Sequence, residues 1–393
     1  MRNLVRILII AFTFSGGLLH ALEIDVDCSQ GDSFESALTR ATFRGLFGSQ
    51  LPILDEPTVI NVSGTCVGNF EVRSDHLTIR GTPGASAVLE GVLDAQDEPV
   101  GPVVDARAVR GLHLENLTVR QGTIGLLAIA ADGGVENCLF ENNEFGLFIL
   151  DSRVFSIGST DVLNNLRDGI YIDATNTVGI YDVEIAGNGD SGLFVYRGQV
   201  YLDDGCFFHD NDSDDYQTQV VVADHSEMEI NATEVNSVII QGWLVVAAQS
   251  YVESFGSAAG SIRMDYVHLT DSGDAFLWDT EVGEAWINHF SHLVLRYSRA
   301  DLVNCYGASS DAACDNAEVP DVVACPSVLS GSCVPPSGDS ASPIERPVHP
   351  RRPRTAVESS VVPVLREDVS RRPPADRVPS RKAAHRDRCG RRK

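Results

Sequence analysis

Three aromatic residues recur at a fixed interval in this chain, and they are the first candidates for chemistry. Phe148, Tyr171 and Phe194 are 23 residues apart, each third in a glycine-led tetrapeptide: Gly146-Leu147-Phe148-Ile149, Gly169-Ile170-Tyr171-Ile172 and Gly192-Leu193-Phe194-Val195. Leu127 holds the same place in Gly125-Leu126-Leu127-Ala128. Rings repeated at structural spacing predict an apolar strip on which sugar rings lie flat, with Asp173, Tyr196 and Arg197 beside it as polar handles. The same stack would also stabilise a sheet without any ligand.

The densest acidic stretch is Asp210-Asn211-Asp212-Ser213-Asp214-Asp215. Oxygens at alternate positions, Asp210, Asp212 and Asp214, suit calcium in an irregular site, with a solvated acidic turn as the alternative, and no other cofactor is expected. It is not an EF-hand: the sixth residue is Asp215 where that loop needs glycine, and the twelfth is Val221 where it needs glutamate. His209, His225, His268, His289 and His292 fall at no metal-binding spacing. Serine-nucleophile, phosphate-cradling and dinucleotide motifs are absent. The chemistry legible here is therefore binding more than catalysis.

What must hold these residues is a repeat. The leading glycines are 21, 23 and 23 residues apart, and Gln121, Asn143, Asn165, Asn188 and Asn211 precede them in phase. Side chains alternate across a strand, so Leu126/Ala128, Leu147/Ile149, Ile170/Ile172 and Leu193/Val195 face inward and the residue between them faces out. One such rung cannot bury its apolar face alone, whereas stacked rungs make a continuous core. Asn and Gly tolerate the left-handed backbone that sharp corners need. No leucine-rich-repeat pattern is visible. The reading is an all-β parallel β-helix of roughly eleven rungs.

Composition places that solenoid outside the cell. Residues 1–21 have a basic start, an apolar run and a small-residue end, the pattern of a signal peptide, and no apolar run long enough for a membrane span follows. Export permits disulfides. Of nine cysteines, Cys28 and Cys66 could tie the first rung to its cap, and Cys305/Cys314 and Cys325/Cys333 could clip the far end. Cys138 and Cys206 recur in phase as small core residues, and Cys389 is left over. The net charge of −25 conceals two opposed parts: residues 344–393 carry +9 and residues 22–343 carry −36, and both lysines, Lys382 and Lys393, are in the tail. So acidic a body repels nucleic acid.

In chain order the expected parts are the signal peptide (1–21), an N-terminal capping helix (22–50), the β-helix (51–303), a disulfide-bearing closure (304–334) and a disordered basic tail (335–393). Asp32 and Glu35 have the form of a capping box for a short amphipathic helix. Thr58 to Cys66 reads as the first strand, and residues 82–104 read as a loop.

Gly169-Ile170-Tyr171-Ile172, preceded by Asn164-Asn165 and followed by the Gly187-Asn188 turn, resembles the right-handed parallel β-helix repeat of the pectin lyase-like superfamily. The helix followed by Val59-Ile60-Asn61-Val62-Ser63-Gly64-Thr65-Cys66 is similar to the start of many secreted bacterial members. The resemblance covers residues 33–300 and implies the fold. The site blocks of pectate lyases, polygalacturonases and alginate epimerases are absent, so it implies no activity. The expectation is an exported, non-catalytic protein that binds a glycan or envelope component through its acidic flank. The alternatives are a polysaccharide lyase, hydrolase or epimerase with a divergent site using Arg167 or Arg197, and a surface adhesin.

Overall fold

A computed structural model describes residues 22–47, 57–212, 217–232, 237–257, 261–306, 310–315, 317, 319, 321–323 and 328–329. The signal peptide, Asp214, Asp215, Cys325, Cys333, Cys389 and the tail from 335 lie outside the described residues.

Each coil has three strands and three corners. From Leu112 the chain runs Leu112–Glu115 on a first face, Thr118–Arg120 on a second and Ile124–Ile129 on a third, then returns to the first at Gly133–Glu136. Every strand pairs in parallel with its counterpart one coil on: Leu147 sits against Ile170, Ile170 against Leu193 and Leu193 against Val220. The inward pairs are fully buried: Leu126, Ala128, Leu147, Ile149, Ile170, Ile172, Leu193 and Val195 are all 0% exposed. They form one core along the whole solenoid.

The corners are left-handed. Asn116, Asn137, Ser159, Asp182 and Gly205 turn the chain after the first face. Gln121, Asn142, Asn164, Gly187 and Asp210 do so after the second, and Ala130, Asp151, Ala174, Arg197 and Asp224 after the third. The asparagines picked out by the sequence pattern are not among them. Asn143, Asn165, Asn188 and Asn211 stand one residue past the second corner, pointing inward and buried. Asn143 Nδ2 donates to Asn165 Oδ1 (3.2 Å), Asn165 Nδ2 to Asn188 Oδ1 (2.9 Å) and Asn188 Nδ2 to Asn211 Oδ1 (2.7 Å). Gln219 Oε1 ends this ladder, accepting from Asn211 Nδ2 at 2.6 Å. Gln121 is one position out of phase with it: Gln121 is a corner residue, and Gly122 N donates to Asn143 Oδ1.

The phased glycines need smallness, not a left-handed backbone. A Cβ on Gly146 would meet Gly169 O at 2.4 Å and Asn165 Nδ2 at 3.0 Å; one on Gly169 would meet Gly192 O at 2.7 Å and Asn188 Nδ2 at 2.8 Å. The ladder and the glycine column thus require each other.

Past Asn211 the cross-section changes. The second corner opens, and the second and third faces merge into long bent strands: Val238–Val246, Ile262–Leu269, Thr280–Asn288 and Arg299–Tyr306. Ile262 pairs with Thr280 and Glu281 with Arg299, so these coils take only 18 residues. Between residues 51 and 303 the first face has eleven described strands, the number the repeat spacing gave for that span, and the face continues beyond it at both ends. The first face runs through fourteen described strands, from Leu22–Asp27 to Val328–Leu329.

At the N-terminus the first strand is Leu22–Asp27, which pairs in parallel with Thr58–Ser63. The helix α1 (Phe34–Phe47) follows it. Its N-cap hydroxyl is Ser33 Oγ, accepting from Ser36 N at 3.1 Å, while Asp32 Oδ2 accepts from Asp27 N at 2.9 Å. The N-cap is therefore Ser33, one residue past the expected Asp32. Phe34, Ala37, Leu38 and Ala41 bury the helix face, and Phe34 meets Phe70 edge-on at 4.7 Å. Cys28 and Cys66 are disulfide-bonded, fastening strand and cap to the first coil. The stretch read as a loop contains the strand Ala87–Glu90, paired with Gly64–Val67. Cys305 and Cys314 are each in a disulfide, and Cys138 and Cys206 are free and buried.

Candidate functional site

The third face carries most of the candidate groups because its outward positions stack in register. The aromatic row is there as the repeat requires: Phe148 pairs with Tyr171 and Tyr171 with Phe194. Their rings are 4.4 and 5.3 Å apart, inclined by only 12° and 1°. Rings so nearly parallel cover each other's faces and present edges outward. A sugar therefore has no flat bed along the row. Only Phe194 has a ring face not matched by an aromatic from the next coil, where Val221 is its partner. Phe145 closes the other end, edge-on to Phe148 at 5.2 Å. Burial pushes the Tyr171 phenol up to about 12, so it is a neutral, packed ring.

The polar handles flank this row but hold each other. Arg197 Nη2 donates to Asp173 Oδ1 at 2.7 Å, its Nε lies 3.9 Å from Asp224 Oδ2, and its guanidinium is 4.7 Å from the centre of Tyr196. At the opposite end of the strands Arg167 lies between Glu144 (3.8 Å) and Asp190 (3.4 Å), over the Phe145 ring. The hydrogen bond that Arg197 donates to Asp173 raises its pKa above the usual range, the reverse of what a proton-abstracting arginine needs.

Of the acidic turn, Asp210 and Asp212 are described and Asp214 is not. Asp210 and Asp212 are both in left-handed conformation. Asp210 Oδ2 contacts His209 Nδ1 at 2.9 Å, and Asp212 Oδ2 accepts from Thr218 N at 3.2 Å. Among the described residues no group of three or more His, Cys, Asp or Glu is placed to hold a metal ion. His209 instead bridges two carboxylates, its Nε2 lying 3.0 Å from Glu184 Oε1.

A second cluster on the same face was not singled out from the sequence. Trp243, Tyr266 and Glu284 occupy one outward row in successive coils, and Val245, His268 and Trp286 the next. Asn288 and Tyr306 extend the patch by one more position. Trp243 stacks on Tyr266 at 4.7 Å, meets Trp286 edge-on at 6.0 Å, and has His268 5.9 Å away. Trp286 packs against Tyr306 at 5.5 Å, and its Nε1 donates to Glu284 Oε2 at 3.0 Å. Asn288 Nδ2 points to His268 Nε2 at 2.9 Å. Burial, assisted by His289 and opposed by Asp271, lowers the His268 pKa, so the imidazole is neutral at pH 7. All these rings are part-exposed. The sequence signal was alternation within Gly242-Trp243-Leu244-Val245 and Ala285-Trp286-Ile287-Asn288. It was hidden because the coil length drops there from 23 to 18, which breaks the phase of the upstream repeat.

Between the two clusters lies the coil of Thr218–Ala223, where the outward side chain next to Phe194 is only Val221. Its neighbours one coil on are Val245 opposite Val221 and Trp243 opposite Thr218.

Comparison with known proteins bears on the fold. The family model described as "Right handed beta helix region" matches residues 103–252. No curated protein sequence matches the chain. Among solved structures, the Agl-KA catalytic domain aligns with 14% identity and a TM-score of 0.43, over 77% of this chain and 66% of that one. The A-module of an Azotobacter vinelandii mannuronan C-5 epimerase aligns with 11% identity, 76% and 94% coverage and a TM-score of 0.40. An alginate lyase from a Paenibacillus species aligns with 14% identity, 77% and 97% coverage and a TM-score of 0.34.

Proposed function

We propose, from the premise that this chain is a parallel β-helix with a right-handed β-helix region over residues 103–252, that it is exported and holds an extended polysaccharide along its third face without cleaving it. The observation that carries this reading is the Trp243–Tyr266–His268–Glu284–Trp286–Asn288 patch. Trp243 and Tyr266 stack on each other there, but Trp286 stands edge-on to Trp243 and inclined by 30° to Tyr306, beside a carboxylate, an amide and a neutral imidazole, so rings in differing orientations and hydrogen-bonding groups meet in one part-exposed place. The Cys28–Cys66 disulfide is in keeping with an oxidising compartment, and no helix among the described residues is long and apolar enough to cross a membrane.

The non-catalytic part of the reading rests on how the ionic groups are engaged. Arg167 and Arg197 each sit between two carboxylates, and Asp173 is bonded to Arg197. The face is built for contact, with its strongest charges satisfied internally. The experiment is affinity electrophoresis through gels carrying a panel of polysaccharides. One polymer should retard the wild type, and Trp243→Ala or Trp286→Ala should weaken retention about tenfold, the loss of one good stacking contact. Tyr171→Ala, which removes a ring already stacked on both sides, should keep it. Equal retention of the wild type and both tryptophan variants would remove the patch from the account.

A further inference from the structure

We propose that the Trp243–Trp286 patch selects a glycan bearing protonated amino groups, a polymer of the glucosamine kind, and rejects polyuronates. This rests on the glycan reading above and concerns which class of sugar the same patch admits.

The argument starts from the fixed charges within reach. Of the outward groups on the patch, Trp243, Tyr266, His268, Glu284, Trp286, Asn288 and Tyr306, only Glu284 carries one, and it is negative. Its carboxylate is oriented by the Trp286 indole N–H at 3.0 Å, which fixes an anion against the edge of an aromatic ring. The neighbouring corner adds Asp271. Of the three arginines on these coils, Arg296 lies on the first face with its guanidinium over the Trp278 ring, and Arg263 and Arg299 fall on the other limb of the bent strands. Glu281 lies in register between them, and Arg299 Nη2 donates to Asp301 at 3.3 Å. They face a shallow recess shared with Asp265, Glu281 and Asp301, where cations are outnumbered by carboxylates.

The surroundings have the same sign. Residues 22–343 contain no lysine and carry −36 overall. A polyuronate brings one carboxylate per sugar to a patch whose only charge is another carboxylate, in a field that repels it at long range. An ammonium group reverses both effects. It can sit against Glu284 and over an indole or phenol face, where a cation–π contact contributes about 0.5–2 kcal/mol depending on how far it is desolvated. Aromatic rings beside an indole-anchored carboxylate make an amine-recognising surface; arginine beside the rings would have made an acid-recognising one.

The test is calorimetric titration of the full chain at pH 5.5 and low salt with four probes: a glucosamine hexamer, an N-acetylglucosamine hexamer, a galacturonate hexamer and hexalysine. The glucosamine hexamer should bind one to one and at least tenfold more tightly than the other two sugars. Glu284→Gln and Trp286→Ala should each weaken it about tenfold, and the tryptophan change should leave hexalysine unaffected. The selectivity is overturned if the acetylated or the galacturonate hexamer binds as well as the glucosamine one. It is equally overturned if the glucosamine hexamer behaves like hexalysine in both variants, since that is diffuse attraction to an acidic body. If no sugar hexamer is held, while Trp243→Ala changes retention of no polysaccharide, the glycan reading itself falls and takes the selectivity with it.

Discussion

Asn165 directs two donors at a single atom of Asn188: its backbone N lies 3.0 Å and its Nδ2 2.9 Å from Asn188 Oδ1. Asn188 repeats the arrangement on Asn211, with N at 3.1 Å and Nδ2 at 2.7 Å from Oδ1. The ladder thus satisfies buried backbone and side-chain groups together, coil after coil, where water cannot reach.

Breaking the ladder at its middle should be costly. Asn188→Ala strands the Asn165 N–H, takes one of two partners from Asn165 Nδ2 and from Asn211 Oδ1, and removes the Nδ2 donor from Val162 O. With each stranded buried group costing on the order of 1–3 kcal/mol and some relaxation allowed, about 3 kcal/mol of destabilisation is expected in urea unfolding. Asn188→Asp should fare no better, because a carboxylate offers no donor to Val162 O and faces Asn211 Oδ1. A change under about 0.5 kcal/mol would mean the ladder carries little of the stability.

The Cys28–Cys66 bridge closes a separation of 38 residues. By chain entropy its loss should cost about 4 kcal/mol. In a Cys28→Ser, Cys66→Ser double variant, hydrogen exchange should quicken first in Leu22–Asp27 and α1, whose attachment to the first coil it secures. Uniform acceleration along the whole solenoid would argue against that local role.

His209 should make stability depend on pH. Burial works against its charge, but hydrogen bonds to Asp210 and Glu184 outweigh that and lift its pKa above the usual imidazole value. A raised pKa means the folded state holds the proton more tightly than the unfolded one. The contribution is therefore complete below about pH 6.5, the unfolded value, and disappears as pH climbs through the folded one. Urea midpoints should fall across that window in the wild type and lose this component in His209→Gln. A midpoint that rises with pH in the wild type and is unchanged by the substitution would contradict the assignment.

The two free thiols should be inert in the folded protein. Burial pushes Cys138 up to about 11 and Cys206 up to about 12, leaving almost no thiolate at neutral pH. A thiol reagent at pH 8 should label neither until denaturant is added, and both should then react together as the coils open. Labelling of either one under native conditions would show a local opening in its coil.

The coil repeat was legible because it is a local property. Inward Leu/Ile/Val pairs at period two and a turn signal every twenty-odd residues are written into each segment separately, and stacking only reuses them. Parity came out the same way: Phe148, Tyr171 and Phe194 point outward because their neighbours must point in. The duty of Asn143, Asn165 and Asn188 was not legible. A corner asparagine and a ladder asparagine are adjacent in sequence and alike in type, and only the bonds to the next coil tell them apart.

The sequence by itself determined that this chain winds into a parallel solenoid, with which residues form its lining, since alternation and spacing fix both without knowledge of distant contacts. Tertiary structure alone decided what the flank can do. It turned the faces of Phe148, Tyr171 and Phe194 toward one another, occupied Arg197 with Asp173, and shortened the later coils so that Trp243, Tyr266, His268 and Trp286 came to one place. Those outcomes depend on which side chain lies one coil away, and that neighbour is set by coil length and register, quantities that accumulate over the whole chain and are not encoded in any one stretch of it.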